Sequence, residues 1–186
     1  MFGERKMARF PNRYLPKDRE ENFPYLTRKV YGVTEDESID YNCIALAAGD
    51  KTRRWEPDPT GVYYWPIQKR EYTTECLIEM FESLGYEKCR CSLKSRKFEK
   101  VALYHDPVGC VEGISNFGHW HPEVLPNFPT HAAKQLPKGT WNSKLGDWEE
   151  IEHGTLKCLN GTDFAGKRIS YGETVQILRK PIPLTA

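Results

Sequence analysis

The sequence predicts an α+β domain in which helices come first and a mostly antiparallel β-sheet follows. A helical pattern with a period near 3.6 lies at residues 74–84, and alternating patterns typical of strands dominate the chain after residue 86. A Pro-Lys-Gly turn at 137–139 joins two of these alternating segments and predicts a β-hairpin. The chain has 186 residues, 39% of them hydrophobic, which suits one domain with a substantial core.

The first 20 residues are predicted to form an arm on the protein surface. They are polar and basic, and they contain Pro11 and Pro16. Residues 21–186 are assigned to one domain. At its start, residues 25–31 are expected to form a short helix that Gly32 ends.

Two further helices are predicted before the sheet. The first is short and alanine-rich, carries Cys43 in its first turn, and has Asp40 as a candidate N-cap and Gly49 as its end. The second is capped by one of the threonines at 73–74 and has an apolar face. The residues of that face are Leu77, Met80, Phe81 and Leu84.

The remaining elements are short strands separated by turns. Residues 148–160 are expected to form short helical turns, and the glycine- and proline-rich segment 107–129 a long ordered loop. The predicted strands are 86–92, 98–105, 130–136, 140–145 and 173–179.

Composition and charge favour a cytoplasmic protein that does not act on membranes. Lys and Arg number 27 against 26 Asp and Glu, so the net charge of +1 gives no field that favours nucleic acid. No apolar run approaches the roughly 18 residues of a membrane span, and the first residues lack the apolar region of a secretory signal. The six cysteines are expected to be reduced.

The most informative pair of residues is Cys43 and His131. A thiol in the first turn of a helix lies at the positive end of the helix dipole, which favours the nucleophilic thiolate. His131 opens a predicted strand and is the candidate base for proton transfer. The two residues are 88 positions apart (131 − 43), so the pair has to form through the fold.

The third member of a catalytic site depends on the register of the hairpin that follows His131. A three-residue loop places His131 opposite Leu145 and puts Ser143 on the face of the histidine. A two-residue loop favours Asn142 and Lys144, and of these Asn142 has a side-chain carbonyl that can accept from an imidazole N–H. Asp147, just beyond the strand, is a further candidate. The turn sequence leaves both registers open.

The substrate site is expected to surround Cys43. The backbone N–H of Cys43, together with Asn42 or Tyr41, is the candidate oxyanion hole. The aromatic loop that follows, with Trp55 and Trp65, is expected to wall the cleft. This interpretation requires no metal and no cofactor.

A zinc site is the weaker alternative. A C-x-C pair on a strand and an H-x-H pair can each present two ligands to one face, but their spacing does not match the usual zinc knuckles. The candidate ligands are Cys89, Cys91, Cys110, His105, His119, His121 and His153.

The segments around Cys43, His131 and Ser143 resemble the papain-like cysteine peptidase and amidase superfamily, in particular its compact bacterial branch. In that branch the polar third residue lies about a dozen positions after the histidine, which here is Ser143. Residues 40–155 are also similar to an uncharacterised bacterial family of small proteins. The chain departs from papain in two ways: no Gln precedes the cysteine in the usual place, and no Asn-Ser-Trp follows the histidine.

The resemblance implies a papain-like fold, with N-terminal helices packed on the sheet, and a thiol hydrolase acting on a peptide or amide substrate. In that reading Cys43 attacks the carbonyl, His131 carries the proton, and Ser143 or Asn142 orients the ring. The alternative is a non-catalytic module of the same scaffold that binds a protein partner, for example in a bacterial conflict or defence system.

Overall fold

The computed structural model describes residues 10–107, 128–162 and 168–183, and within them the fold is α+β. The described residues form three α-helices, one 3-10 helix and eight strands, and every strand pair among them is antiparallel. The helices are α1 Lys17–Glu20, α2 Cys43–Ala48 and α3 Thr74–Ser83, and the 3-10 helix is Leu156–Leu159. The strands are β1 Tyr31–Glu35, β2 Glu87–Cys89, β3 Phe98–Asp106, β4 Phe128–Gln135, β5 Trp141–Lys144, β6 Glu150–His153, β7 Gly161–Thr162 and β8 Arg168–Pro181.

Local capping explains where α2 begins and ends and where α3 begins. The side chain of Asn42 accepts the backbone N–H of Ala45, so the N-cap of α2 is Asn42 and the predicted cap Asp40 is wrong. Gly49 ends α2 in the left-handed conformation, with φ of 91°, as predicted. Thr73 caps α3 by accepting the N–H of Cys76.

The strands form one sheet in the order β1-β6-β5-β4-β3-β8-β2, and β7 pairs with β8. The β4–β5 hairpin pairs Lys134 with Asn142 and Gln135 with Trp141. This is the register of a three-residue loop, one of the two alternatives that the sequence left open.

Two hydrophobic cores cover the two faces of the sheet. The first lies between the sheet and helices α2 and α3, and it includes Cys43 and Ala132. The second lies on the opposite face and includes Tyr104, Ala133 and Tyr171. Because successive residues of a strand point to opposite faces, membership of a core assigns each side chain of β4 to one side.

The predicted arm takes part in the second core. Leu15 is buried, and its backbone N–H donates to the hydroxyl of Tyr31 at 3.1 Å. The backbone N–H of Val33 donates to the backbone carbonyl of Arg13 at 2.8 Å, so the arm covers the outer edge of β1. Within the described range, residues 10–20 are therefore part of the packed structure.

Two predicted elements differ from the structure. The helix expected at 25–31 is absent there; Tyr31 instead begins β1, because its side chain and that of Val33 fill the second core. The helical turns expected at 148–160 are present only as the 3-10 helix Leu156–Leu159. Glu150–His153 forms β6 instead, since it pairs with both β1 and β5. Most of the predicted loop 107–129 lies outside the described residues.

In the described part of the chain, no helix combines the length and the apolar character that crossing a membrane requires.

Candidate functional site

Cys43 is the first residue of α2, and its thiol is buried. Only 3% of the residue is exposed. Burial raises the pKa of the thiol to about 11, because the charged thiolate loses its hydration; backbone N–H groups of Ala132 and Ile44 offset part of this effect. The site holds a neutral thiol at neutral pH, contrary to what a helix N-terminus alone predicts.

His131 lies in a buried chain of hydrogen bonds with Ser143 and His153. Its Nε2 atom is 2.9 Å from the Ser143 hydroxyl, and the same hydroxyl is 2.9 Å from Nε2 of His153. The far ring nitrogen of His153, Nδ1, is 2.9 Å from the carbonyl of Thr155. All three side chains are almost completely buried.

The carbonyl at the end of this chain fixes the direction of every hydrogen bond when both rings are neutral. A carbonyl only accepts, so Nδ1 of His153 carries the proton and its Nε2 accepts from Ser143. The Ser143 oxygen then accepts from Nε2–H of His131. Nδ1 of His131 is left as an unprotonated acceptor, and no described residue donates a hydrogen bond to it.

Burial keeps both rings neutral. It lowers the pKa of His153 to about 4, with the hydrogen bond to Thr155 acting in the opposite direction. The pKa of His131 is lowered well below its usual value, mainly by burial and further by His153. The ring of His131 also stacks on Tyr171, with centroids 4.1 Å apart, and meets Tyr104 edge-on.

The structure does not bring Cys43 and His131 together. Cys43 packs on the face of the sheet that carries Ala132 and Leu103. His131 is paired with Tyr104 and contacts its ring on the opposite face. The predicted thiol–imidazole pair is therefore corrected, because alternation along β4 sends neighbouring side chains to different cores.

Of the two candidates for the third residue, Ser143 contacts His131 and Asn142 does not. Asn142 lies on the α2 side, where its amide donates to Glu150 at 2.8 Å. The other oxygen of Glu150 accepts from the hydroxyl of Tyr41 at 2.9 Å and lies 2.8 Å from the ammonium of Lys51. Asn142 thus belongs to a separate polar cluster.

The residues predicted to form the oxyanion hole and the cleft wall are part of the core. The side chain of Asn42 is 1% exposed, caps α2, and also donates to the carbonyl of Trp55 at 2.8 Å. Trp55 and Trp65 are buried in the first core, and Tyr41 is buried with its hydroxyl on Glu150. All four side chains are therefore buried, which is not what an open cleft beside Cys43 predicts.

The structural role of Lys144 in the β5–β6 turn was not predicted from the sequence. Its side chain is fully buried, and its ammonium donates to the carbonyls of Gly146 and Trp148, which holds the β5–β6 turn. Burial lowers the pKa of Lys144. The hydrogen bond between Ser143 and His153 was not predicted either, because β6 was not expected to be a strand.

The alternative zinc site is not assembled in the described part of the chain. No group of three or more His, Cys, Asp or Glu residues there could hold a metal ion. His153 belongs to the Ser143 chain. Cys110, His119 and His121 lie outside the described residues.

The fold and the site together define an α+β domain with a cysteine-bearing helix on one face of its sheet and a buried His–Ser–His chain on the other. The chain belongs to the family described as Domain of unknown function (DUF7689), which matches residues 32–179. The match spans the sheet from β1 to β8. No curated protein and no solved structure matches the chain.

Proposed function

We propose that this domain is a non-catalytic protein-interaction module on a papain-like scaffold. One observation carries the proposal: Cys43 and His131 occupy opposite faces of the sheet, each sealed in its own core. A thiol hydrolase needs the thiol and the imidazole within hydrogen-bond reach of each other. Their separation by the sheet favours a structural role for the Cys43 thiol and the His131 imidazole over a catalytic one.

The papain-like part of the proposal is supported by local features. A helix with a cysteine in its first turn packs on β4, and His131 is hydrogen-bonded to a polar residue twelve positions later. The antiparallel sheet follows the helices in the chain. These are the features on which the resemblance to the compact bacterial branch depends.

An interaction surface is offered by the loop between α2 and α3. We define the Tyr64 patch as Arg53, Val62 and Tyr64. Val62 is 74% exposed and Tyr64 is 36% exposed. The guanidinium of Arg53 lies 3.5 Å from the centroid of the Tyr64 ring. Tyrosine and arginine are the residue types enriched where proteins bind one another.

The loop that carries the Tyr64 patch is held in place by packing on the core and by hydrogen bonds within the loop. Tyr64 packs against buried Trp55, with ring centroids 4.9 Å apart. The carboxylate of Asp58 accepts the backbone N–H groups of Thr60 and Val62 at 3.0 and 2.8 Å. A surface that is already ordered loses little conformational entropy on binding, which favours affinity.

Charge argues for a protein partner over a nucleic acid. The three cations at the start of the loop are all ion-paired: Lys51 with Glu35 and Glu150, Arg53 with Asp50, and Arg54 with Glu56 and Asp147. Little net positive charge remains there to replace the counterions of a phosphate backbone. The patch therefore suits an apolar or aromatic segment of a protein.

The test begins with capture of a partner by the full chain from an extract of its native host. The partner is identified, purified and titrated calorimetrically. Val62→Asp is expected to weaken its binding at least about tenfold, since the change buries an unpaired carboxylate in the interface. The matched control is Leu93→Asp, which changes an equally exposed residue (75%) on another loop and is expected to leave the affinity unchanged.

Three outcomes would contradict the proposal. The first is that no protein binds, or that Val62→Asp binds like the wild type. The second is that the captured molecule is RNA or DNA, with an affinity that falls steeply as salt is added. The third is that the partner is cleaved by the wild type and not by Cys43→Ser, which would restore the hydrolase interpretation.

A further inference from the structure

Two free cysteines, separated by one residue, lie at the end of β2 and outside the site described above. Cys89 is the last residue of the strand and is half-buried, and Cys91 is exposed. The sulfur of Cys89 is 3.5 Å from the backbone carbonyl of Cys91, so its side chain points towards the second cysteine. Two residues of chain span at most about 7 Å, which brings the Cα atoms to within the range of a disulfide or close to it.

The loop that carries the two thiols is anchored by side chains of the sheet. The Lys100 ammonium donates to the carbonyls of Cys91 and Leu93, both at 2.7 Å. The amides of Gln135 and Gln176 donate to the carbonyls of Ser92 and Cys89, at 2.7 and 3.2 Å. Both Lys100 and Gln135 are buried, so these anchors are shielded from water. The backbone between the cysteines is thereby held in one conformation.

The segment around the cysteines is strongly basic. Between residues 88 and 97 it contains five basic residues and no acidic one. All five are exposed, and none forms an ion pair with another described residue. The five are Lys88, Arg90, Lys94, Arg96 and Lys97. Such a segment raises the local concentration of small anions.

We propose that Cys89 and Cys91 form a redox-active dithiol that exchanges with anionic low-molecular-weight disulfides of the glutathione type. Exposed Cys91 attacks one sulfur of the disulfide, forms a mixed disulfide, and releases one glutathione as thiolate. Cys89 then attacks the sulfur of Cys91 and releases the second glutathione. The protein loses two electrons and two protons, and one glutathione disulfide becomes two glutathione thiols.

The structure separates this pair from the other described cysteines. Cys43, Cys76 and Cys158 are all buried and are not accessible to a small disulfide. The dithiol is also independent of the proposed binding function, since the Tyr64 patch is on another loop. Oxidation at β2 is therefore a modification of the surface and not of the core.

The experiment treats the native full chain with glutathione disulfide at neutral pH, in a Cys110→Ser background that removes the cysteine outside the described residues. Intact mass and peptide mapping follow the products. The starting protein is expected to end as an intramolecular Cys89–Cys91 disulfide with two glutathione thiols released. Cys89→Ser is expected to stop at one glutathione on Cys91, and Cys91→Ser to react at least about tenfold more slowly.

A salt series tests the role of the basic segment. Added salt is expected to slow the reaction with glutathione disulfide and to leave the reaction with neutral hydroxyethyl disulfide unchanged. The proposal is overturned if the mixed disulfide persists when both cysteines are present, or if Cys91→Ser reacts as fast as the unsubstituted pair. It is also overturned if salt slows both disulfides equally.

Discussion

Replacement of Ser143 by alanine is expected to destabilise the fold far more than a serine-to-alanine change usually does. The Ser143 hydroxyl is the shared partner of both buried imidazoles, at 2.9 Å from each. Without it, the Nε2–H of His131 loses its acceptor and Nε2 of His153 loses its donor. Neither nitrogen can form a hydrogen bond with bulk water instead, because all three residues are buried.

The magnitude follows from two unsatisfied groups. A buried donor or acceptor without a partner costs about 1–3 kcal/mol, so two of them in Ser143→Ala are expected to lower the free energy of unfolding by about 2–6 kcal/mol. A domain of this size has a total stability of about 5–15 kcal/mol, so the loss is a large fraction of the whole. Removing one oxygen leaves too small a space to account for such a loss by itself.

Urea unfolding followed by tryptophan fluorescence measures this loss of stability. The comparison holds if the slope of the free energy of unfolding against urea concentration is the same for the variant and the wild type. Ser92→Ala is the matched control, since this serine is exposed and its replacement is expected to change stability by no more than about 0.5 kcal/mol. A loss below about 1 kcal/mol in Ser143→Ala would refute the reasoning. It would mean that the chain of hydrogen bonds does not stabilise the fold.

Two further predictions concern the buried histidines and the N-cap of helix α2. Both imidazoles are neutral in the folded protein, because burial lowers the pKa of His153 to about 4 and that of His131 well below its usual value. Their contribution to the free energy of unfolding is therefore complete above pH 6.5 and is lost progressively as the pH falls below 6.5. Because an unperturbed imidazole has a pKa near 6.5, lowering the pH from 8 to 5 should reduce the free energy of unfolding by about 2 kcal/mol through His153, and His131 should add to this loss. His131→Gln should therefore make the dependence of stability on pH shallower, and an unchanged slope would contradict the prediction. Asn42→Ala should cost about 2 kcal/mol in the same assay because it removes a cap and the bond to Trp55. Thr73→Ala, which removes only a cap, should cost about 1 kcal/mol, and equal losses would argue against the second role of Asn42.

Local signals in the sequence were sufficient for helices α2 and α3 and for the hairpin, but not for residues 25–31, where a helix was expected and β1 begins. Thr73 and Gly49 act as cap residues within a few positions of their helices, so neighbouring residues determine their roles. The three-residue loop at 137–139 fixes the register that puts Ser143 on the face of His131. The His131–Ser143 contact could therefore be predicted as one of two alternatives.

The face of the sheet that His131 occupies could not be predicted. His131 is followed in β4 by Ala132 and Ala133, which point to opposite faces of the sheet. Because the two residues are identical, they give no hydrophobic contrast that shows which face meets the helix. The choice is made by long-range packing, since Tyr171 and Tyr104 come from other strands and enclose the imidazole. Pairing of Cys43 with His131 was inferred from chemistry alone, and packing decided against it.

Strand β6 was missed for a related reason. Glu150 and Glu152 are polar residues, and their burial on a strand is not apparent from a hydrophobic pattern. Their partners come from distant segments: Tyr41 and Lys51 contact Glu150, and Thr140 donates to Glu152. Burial of these carboxylates depends on the completed fold, so no local rule predicts it.

The separation of the thiol from the imidazole is tested most directly by alkylation of Cys43 in the native chain. With the thiol sealed and its pKa raised to about 11, iodoacetamide at pH 7.5 should modify Cys43 at least about a hundredfold more slowly than in the urea-unfolded chain. His131→Ala should not slow this reaction any further. Rapid and selective alkylation of native Cys43 that His131→Ala abolishes would contradict the account and establish a thiolate–imidazole pair.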